Sequence, residues 1–360
     1  MNIGIPKEIR PSEYRVGLSP AGVHMLVKQG HTCYIEHQAG LGAGFTDQDY
    51  EHAGGQIVYT AAEAFGRADL VLKVSRPLEP ELGLLRPEAI LAGFLHLPSA
   101  RQSKIDYLVN NKISAIAYEQ IQLPDGSRPV LRPLSDIGGR MSAQIAARLM
   151  QNNAGGKGIL LGGMPGVPPA EVAIIGAGVA GHAAARAFRG MGAQVTVLDV
   201  DGRALERIHT QFPGAVTMFY TPANIRRVCA YADVVIAAAM IPGQPAPMLI
   251  SRSDVQSMKP RSLIMDISID QGGCVETSRP TTHEHPTFVE EGVIHYCVPN
   301  MPGAVARTAT HAFLNAASPF ISEITTKGIQ AAINDNPAIA HAVNTHNGKL
   351  HHLSRFTPNE

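Results

Sequence analysis

The sequence predicts an α/β protein of two domains, each a mostly parallel doubly wound sheet, with one domain inserted in the other. Three observations carry this. From residue 2 to about residue 130, short apolar strands alternate with helical runs, the rhythm of a parallel sheet. A second strand–helix–strand series starts at Val172. Beyond Ala304 the chain reads as helical to about residue 343 with no new strand, so it is expected to pack back on the first domain. The expected division is 1–130 plus 305–360 for one domain and 131–304 for the other; 360 residues suffice for two cores.

Asn2–Ile5 reads as a strand. Ser19-Pro20 opens a helix, with serine as N-cap and proline at the first helical position. Val23, Leu26 and Val27 recur at helical spacing until Gly30, and Cys33–Glu36 resumes as a strand. Thr60 and Glu63 have capping-box spacing for a further helix. Leu70–Val74 and Ile90–Leu95 are buried strands, Pro124-Asp-Gly126 is a turn, and a helix covers Met141–Met150. Asn152–Pro169, rich in glycine and proline, leads as a loop into Val172. Val179–Met191 is a crossover helix; Val195–Asp199, Val234–Ala239 and Leu263–Ile267 are strands. The polar, histidine-containing tail from Asn344 is expected at the surface.

The densest local signal is Val172-Ala-Ile-Ile-Gly-Ala-Gly-Val-Ala-Gly181 with Asp199 closing the next strand. Gly176 permits a tight turn, Gly178 lets a pyrophosphate approach the backbone, and Gly181 lets the helix pack on the sheet. Val179 and Ala180 open that helix, whose free N–H groups and positive partial charge suit phosphate. Asp199 lies 23 residues after Gly176, the spacing of an acid that binds a ribose 2′-hydroxyl. A negative charge there favours NAD over a 2′-phosphorylated dinucleotide; Arg203, four residues on, pulls the other way.

Composition excludes several classes. Zero net charge leaves no basic field for nucleic acid or an anionic membrane. No apolar run is long enough to span a bilayer, and Met1–Glu8 lacks signal-peptide order. Cys33, Cys229, Cys274 and Cys297 form no CxxC pair, which suggests a reduced cytoplasmic protein without structural zinc. Cys274, after Gly272-Gly273, reads as a small buried residue rather than a nucleophile.

Three groups follow strand ends, where ligands of open α/β sheets lie. Arg15 suits a carboxylate, His96 suits proton transfer, and Asp270 suits ordering water or exchanging a proton with an amine. From spacing alone, a structural role is the commoner one for such residues: a solvated arginine, a core histidine, a helix-capping aspartate.

The chain resembles alanine dehydrogenases from end to end. The resemblance rests on Gly4-Ile-Pro-Lys-Glu-Ile9, Glu13-Tyr-Arg-Val-Gly-Leu-Ser-Pro-Ala-Gly22, Phe94-Leu-His-Leu97, Ala117-Tyr-Glu119, Gly162-Gly-Met-Pro-Gly-Val167, Asp270-Gln-Gly-Gly-Cys274, Ser278-Arg-Pro-Thr-Thr282 and Asn300-Met-Pro-Gly303. It implies reversible NAD-dependent oxidation of L-alanine to pyruvate and ammonium, in a cytoplasmic homohexamer. It implies that Arg15 binds the substrate carboxylate, with His96 and Asp270 catalytic. It further implies that Ser135, Asp199, Thr221, Ala239, Met240, Ile267, Asp270, Arg279, Val298, Asn300 and Met301 line the cofactor with the glycine loop.

Three departures qualify this. The family's Lys-Val-Lys-Glu-Pro is Lys73-Val-Ser-Arg-Pro77, so Ser75 replaces a lysine that reaches the substrate. Lys73 is expected on the same face, one pleat pair away. The family's Leu-Ala-Pro-Met-Ser is Leu131-Arg-Pro-Leu-Ser135, which places Arg132 beside Ser135. Three readings stay open: alanine chemistry with Arg132 or Arg76 restoring the charge; a larger, N-substituted or extra-anionic amino acid as substrate; or NAD binding without catalysis. Finally, some relatives bind magnesium between the glutamate matching Glu119 and a late histidine. Lys327 stands at that late position, and no metal is expected.

Overall fold

The structure is a computed structural model and describes residues 1–241 and 245–353. The chain forms two compact units, Met1–Leu134 with Gly303–Glu360, and Ser135–Pro302. Both are α/β units with mostly parallel sheets.

In the first unit the strands are β1 (Asn2–Ile5), β2 (Thr32–Glu36), β3 (Gln56–Val58), β4 (Leu70–Ser75), β5 (Ile90–Phe94) and β6 (Ser114–Ala117). The second unit carries β7 (Glu171–Ile175), β8 (Gln194–Asp199), β9 (Val216–Phe219), β10 (Val234–Ala237), β11 (Leu263–Asp266), β12 (Thr287–Glu290) and β13 (Val293–Tyr296). The chain then returns to the first unit for β14 (Val343–His346) and β15 (Lys349–Leu350). The sheet orders are β15-β14-β6-β5-β4-β1-β2-β3 and β12-β13-β11-β10-β7-β8-β9. Strand order reverses between β1 and β4 in the first sheet and between β7 and β10 in the second. At such reversals, flanking helices lie on opposite faces and leave a crevice at the strand ends.

Alternation along central strands explains the two-faced burial. Val172 and Ile174 of β7, with Val234 and Ile236 of β10, pack with Phe188 and Ile208 on one face. Ala173 and Ile175, with Val235 and Ala237, pack with Val228 and Cys229 on the other. Successive side chains point to opposite faces, so strands covered by helices on both sides are apolar throughout.

Two expectations need correction. The helix expected over Met141–Met150 runs from Arg132 to Leu149. Pro133 is tolerated because the first turn has no intrahelical N–H bond to lose. Gly139 is needed there because a Cβ on it would sit 2.1 Å from the Ala180 carbonyl oxygen. The tail from Asn344 is also not a surface segment at its start. β14 pairs antiparallel with β6, and Asn344 and Thr345 are fully buried. Their side-chain donors are met internally: Asn344 Nδ2 donates to Gln120 Oε1 (2.7 Å) and the His352 carbonyl, and Thr345 Oγ1 donates to the Ile113 carbonyl (2.8 Å). Hydrophobic patterning misses a strand whose buried groups are satisfied in this way. Residues 354–360 of the tail lie outside the described residues.

Candidate functional site

The dinucleotide signature folds as its spacing requires. β7 ends at Ile175, Gly176 turns with φ +105°, and the helix Val179–Gly190 starts with Gly178 as N-cap. A Cβ on Gly181 would lie 1.7 Å from the Gly176 carbonyl oxygen, so only glycine closes this turn. A Cβ on Gly178 would meet nothing within 4 Å. Beside a helix N-terminus, that open space is what a pyrophosphate needs, so these residues fit a dinucleotide. Asp199 is not an isolated acid. Its Oδ2 accepts the Ala177 N–H (2.5 Å) and its Oδ1 accepts the Asp201 N–H (2.8 Å). It ties the glycine loop to the end of β8 while remaining half-buried, where a ribose hydroxyl can still meet it.

Replacing Gly181 with alanine should weaken NADH binding by more than about tenfold in a fluorescence titration and lower Tm, since backbone must move to admit the methyl. Gly190→Ala, at the exposed far end of the same helix where nothing lies within 4 Å, is the control and should leave both unchanged.

The remaining expected cofactor residues lie elsewhere in the second unit. Thr221 caps the helix Pro222–Tyr231, accepting the Asn224 N–H, so its hydroxyl has a structural task. Arg203 lies in the first turn of the helix Gly202–Gln211. Ala239 and Met240 follow β10, and Ile267 follows β11. Val298, Asn300 and Met301 follow β13; Val298 and Met301 are buried, and the Asn300 N–H donates to Asp270 Oδ2 (3.0 Å). Ser135 is half-buried in the first turn of the helix Arg132–Leu149. Arg279 stands apart. Its guanidinium lies 4.0 Å from the Phe288 ring centroid and 3.9 Å from Glu290, both on the edge strand β12, four places from β7 in the sheet.

Asp270 is exposed in a short 3-10 turn after β11. The sequence reading overlooked the group that shapes this loop, Asp266. Buried at the end of β11, its carboxylate accepts the N–H groups of Ser268 (3.2 Å), Cys274 (2.8 Å) and Val275 (3.2 Å). Burial raises its pKa, and those bonds oppose the rise. Cys274 is buried with its Sγ on the Ala239 carbonyl, and burial pushes its thiol up to about 11, so it is no nucleophile at neutral pH.

In the first unit, the reversal between β1 and β4 gathers a charged set. Arg15 is buried, and its Nε and Nη2 grip the two oxygens of Glu13 at 2.7 and 2.6 Å. Despite the cost of burial, Arg15 and the Ser75 hydroxyl hold the Glu13 carboxyl below its ordinary value. Ser75 Oγ donates to Glu13 Oε2 (2.9 Å), so Ser75 completes a Ser75–Glu13–Arg15 chain. Glu13 thus occupies the side-on face of the Arg15 fork.

Lys73 is not on the Ser75 face as strand alternation implied. The β4–β5 register shifts between Leu72 and Ser75, which breaks the alternation. Lys73 is fully buried, with Nζ 2.6 Å from Glu81 Oε1 and 3.1 Å from Glu8 Oε2. Glu8 Oε1 also accepts the N–H groups of Val74 (2.6 Å) and Ser75 (3.3 Å). Burial raises the pKa of Glu8 and Lys73 opposes this; the two acids in turn hold Lys73 in its charged form. Glu8 was missed because an isolated acid in an N-terminal loop gives no periodic signal.

Arg132 is exposed and acts electrostatically on Asp125 of the neighbouring turn. Arg76 Nη1 donates to the His96 carbonyl (3.0 Å) and to Ser99 Oγ (3.1 Å). His96 itself is half-exposed after β5 in the left-handed region, φ 43° and ψ 44°. For a residue with a Cβ that conformation costs about 1–2 kcal/mol. Lys327 pairs with Glu323 (2.9 Å) and Asp335 (3.0 Å).

A glycine cradle at a strand-order reversal, closed by an acid, together with a second α/β unit that gathers arginine, serine and histidine at strand ends, defines a two-unit dinucleotide-binding protein of the dehydrogenase type. The chain belongs to the alanine dehydrogenase/PNT family: that family's N-terminal domain matches residues 4–138 and its C-terminal domain residues 142–353. It is 45% identical to an alanine dehydrogenase of Mycobacterium tuberculosis and 47% identical to one of Methanococcus maripaludis. Each match covers 97% of this chain and 94% of the relative. A solved L-alanine dehydrogenase superposes with TM-score 0.93 at 44% identity, over 97% of this chain and 96% of that one. A transhydrogenase from Sinorhizobium meliloti gives 0.82 at 28% identity, over 97% and 98%.

Proposed function

We propose that the protein is an NAD-dependent amino-acid dehydrogenase that interconverts L-alanine with pyruvate and ammonium. The observation that carries this is the near full-length likeness to L-alanine dehydrogenase at 44% identity. When bound, NAD takes up the hydride from the amino acid's Cα. The chain's own groups do the rest. Arg15, fixed by Glu13, binds the carboxylate end-on. His96 moves the proton at the substrate oxygen as water adds and ammonia leaves. Asp270 serves as the second acid–base group, with the Asn300 N–H holding one of its oxygens. The glycine loop and Asp199 hold the dinucleotide, with Thr221, Ala239, Met240, Ile267, Val298 and Met301 around it. In keeping with the family resemblance, we take the protein to be a cytoplasmic homohexamer, with residues 1–130 and 305–360 handling substrate and 131–304 binding NAD.

A second reading, a different 2-oxo acid or amine as substrate, is favoured by Ser75. Its hydroxyl donates to Glu13 and brings no charge to the pocket wall. One assay separates the two: NADH oxidation with ammonium or methylamine against a panel of 2-oxo acids. Fast turnover of pyruvate with ammonium supports alanine chemistry. Inert pyruvate beside a rapidly reduced larger oxo acid overturns it. Under the alanine reading, Ser75→Lys should change kcat/KM for pyruvate by less than about tenfold; under the second it should raise it by on the order of a hundredfold, the scale of one charge-assisted contact to a buried oxyanion.

A further inference from the structure

We propose that Glu119 and Arg76 are positioning residues that together clamp the backbone of His96 and so aim its imidazole for proton transfer. The inference rests on the reading of His96 as the proton-transfer group. β5 lies between β4 and β6, and the loop after β5 is held from both neighbours. On one side, the β5–β6 register pairs Gly93 with Ala117, which carries Glu119 alongside Leu95 and His96. Glu119 is buried, and its two oxygens accept the Leu95 N–H (3.2 Å) and the His96 N–H (2.7 Å). On the other side, Ser75 pairs with Phe94, which brings Arg76 to the His96 carbonyl (3.0 Å). Ser99 adds its N–H (3.2 Å) and hydroxyl (3.0 Å) to the same carbonyl. Both peptide groups of His96 are thus pinned, on a residue whose left-handed backbone would otherwise relax.

The imidazole cannot orient itself by packing, because nearly half of it is exposed. Its direction follows from the backbone, and Glu119 Oε1 stands 3.9 Å from its Nδ1. Glu119 therefore serves the reaction through hydrogen bonds to the main chain. Arg76 is a donor this chain places where the family motif has glutamate, which could not donate to that carbonyl.

The test compares Glu119→Ala, Glu119→Gln, Arg76→Ala and Arg76→Lys with His96→Ala. The readouts are kcat and KM with the best oxo acid of the panel, the NADH dissociation constant and Tm. Both alanine variants should lose about 10–100-fold in kcat, the scale of a small misplacement of a reacting group, with NADH affinity unchanged. Glu119→Gln keeps one of the two acceptors and Arg76→Lys keeps a donor, so each should recover part of the loss. Should Glu119→Ala fail to fold, the Arg76 pair, on a half-buried side chain, decides the matter. If His96→Ala is inactive while both flanking alanine variants stay within about twofold of the parent, the clamp is overturned alone. Arg76→Lys no better than Arg76→Ala overturns it as well. Full activity in His96→Ala overturns the reading of His96 and the clamp with it.

Discussion

Replacing His96 with alanine is expected to lower kcat by about 10²–10⁴-fold, the range of a positioned acid–base group, while NADH still binds. The two halves of this expectation have different physical origins. Proton transfer at the substrate oxygen needs a group that both gains and loses a proton near neutrality, and imidazole does so. In the proposed function, dinucleotide binding is built on the glycine loop, Asp199 and the helix from Val179, all in the second unit. Removing an imidazole from the end of β5, in the first unit, should leave that cradle intact. Steady-state kinetics with a parallel NADH titration check both halves. Loss of NADH binding together with activity would mean that His96 supports the fold instead of the chemistry. An unchanged kcat would remove it from the reaction.

The second large effect is on stability. Lys73→Met should lower the unfolding free energy by about 3–5 kcal/mol, the cost of leaving buried charge without its partner. Lys73 is fully buried between Glu8 and Glu81, themselves nearly inaccessible. Methionine fills much of the volume, so the loss reports charge more than cavity. The pH dependence follows from Glu8, whose pKa burial already raises. Without the lysine, Glu8 favours the protonated form more strongly, so its folded pKa lies further above the unfolded one. For an acid raised on folding, stability is fully present below the unfolded pKa and is lost as pH rises through the folded one. The deficit of Lys73→Met should therefore be largest above the raised Glu8 pKa and narrow as pH falls toward the ordinary carboxylate range. Urea unfolding at several pH values measures this. Adding Glu8→Gln should recover part of the loss; a pH-independent deficit that Glu8→Gln leaves unchanged would mean packing alone is responsible.

Both predictions show where sequence reading reached its limit. The glycine loop and Asp199 were legible because each residue answers a local steric demand at fixed spacing: a turn at Gly176, a close approach at Gly178 and Gly181, an acid at the next strand end. The apolar interiors of β5, β7 and β10 were legible because burial on both faces removes polar residues from them. β14 was not, because Asn344, Thr345 and His346 take their partners from Gln120, Ile113 and Ser114, more than two hundred residues away in the chain. The roles that Glu8, Glu13, Glu119 and Asp266 take in the fold were not legible, because an acid's role depends on which backbone N–H groups converge on it.

Ser75 sits on both sides of this divide. Sequence alone establishes that a serine stands where the family motif has its second lysine, and that Lys73 lies two residues earlier. Strand alternation then places Lys73 on the same face, one pleat pair away. The tertiary structure decides otherwise: a register shift in β4 sends Lys73 into the buried pair of Glu8 and Glu81, and Ser75 closes onto Glu13. The sequence by itself determined the two α/β series, the NAD cradle and the family, because these rest on local spacing and on periods of burial. Only the folded chain decided which acid each cation meets and how His96 is held, because charge pairing and left-handed backbone depend on groups that become neighbours only once the sheets have formed.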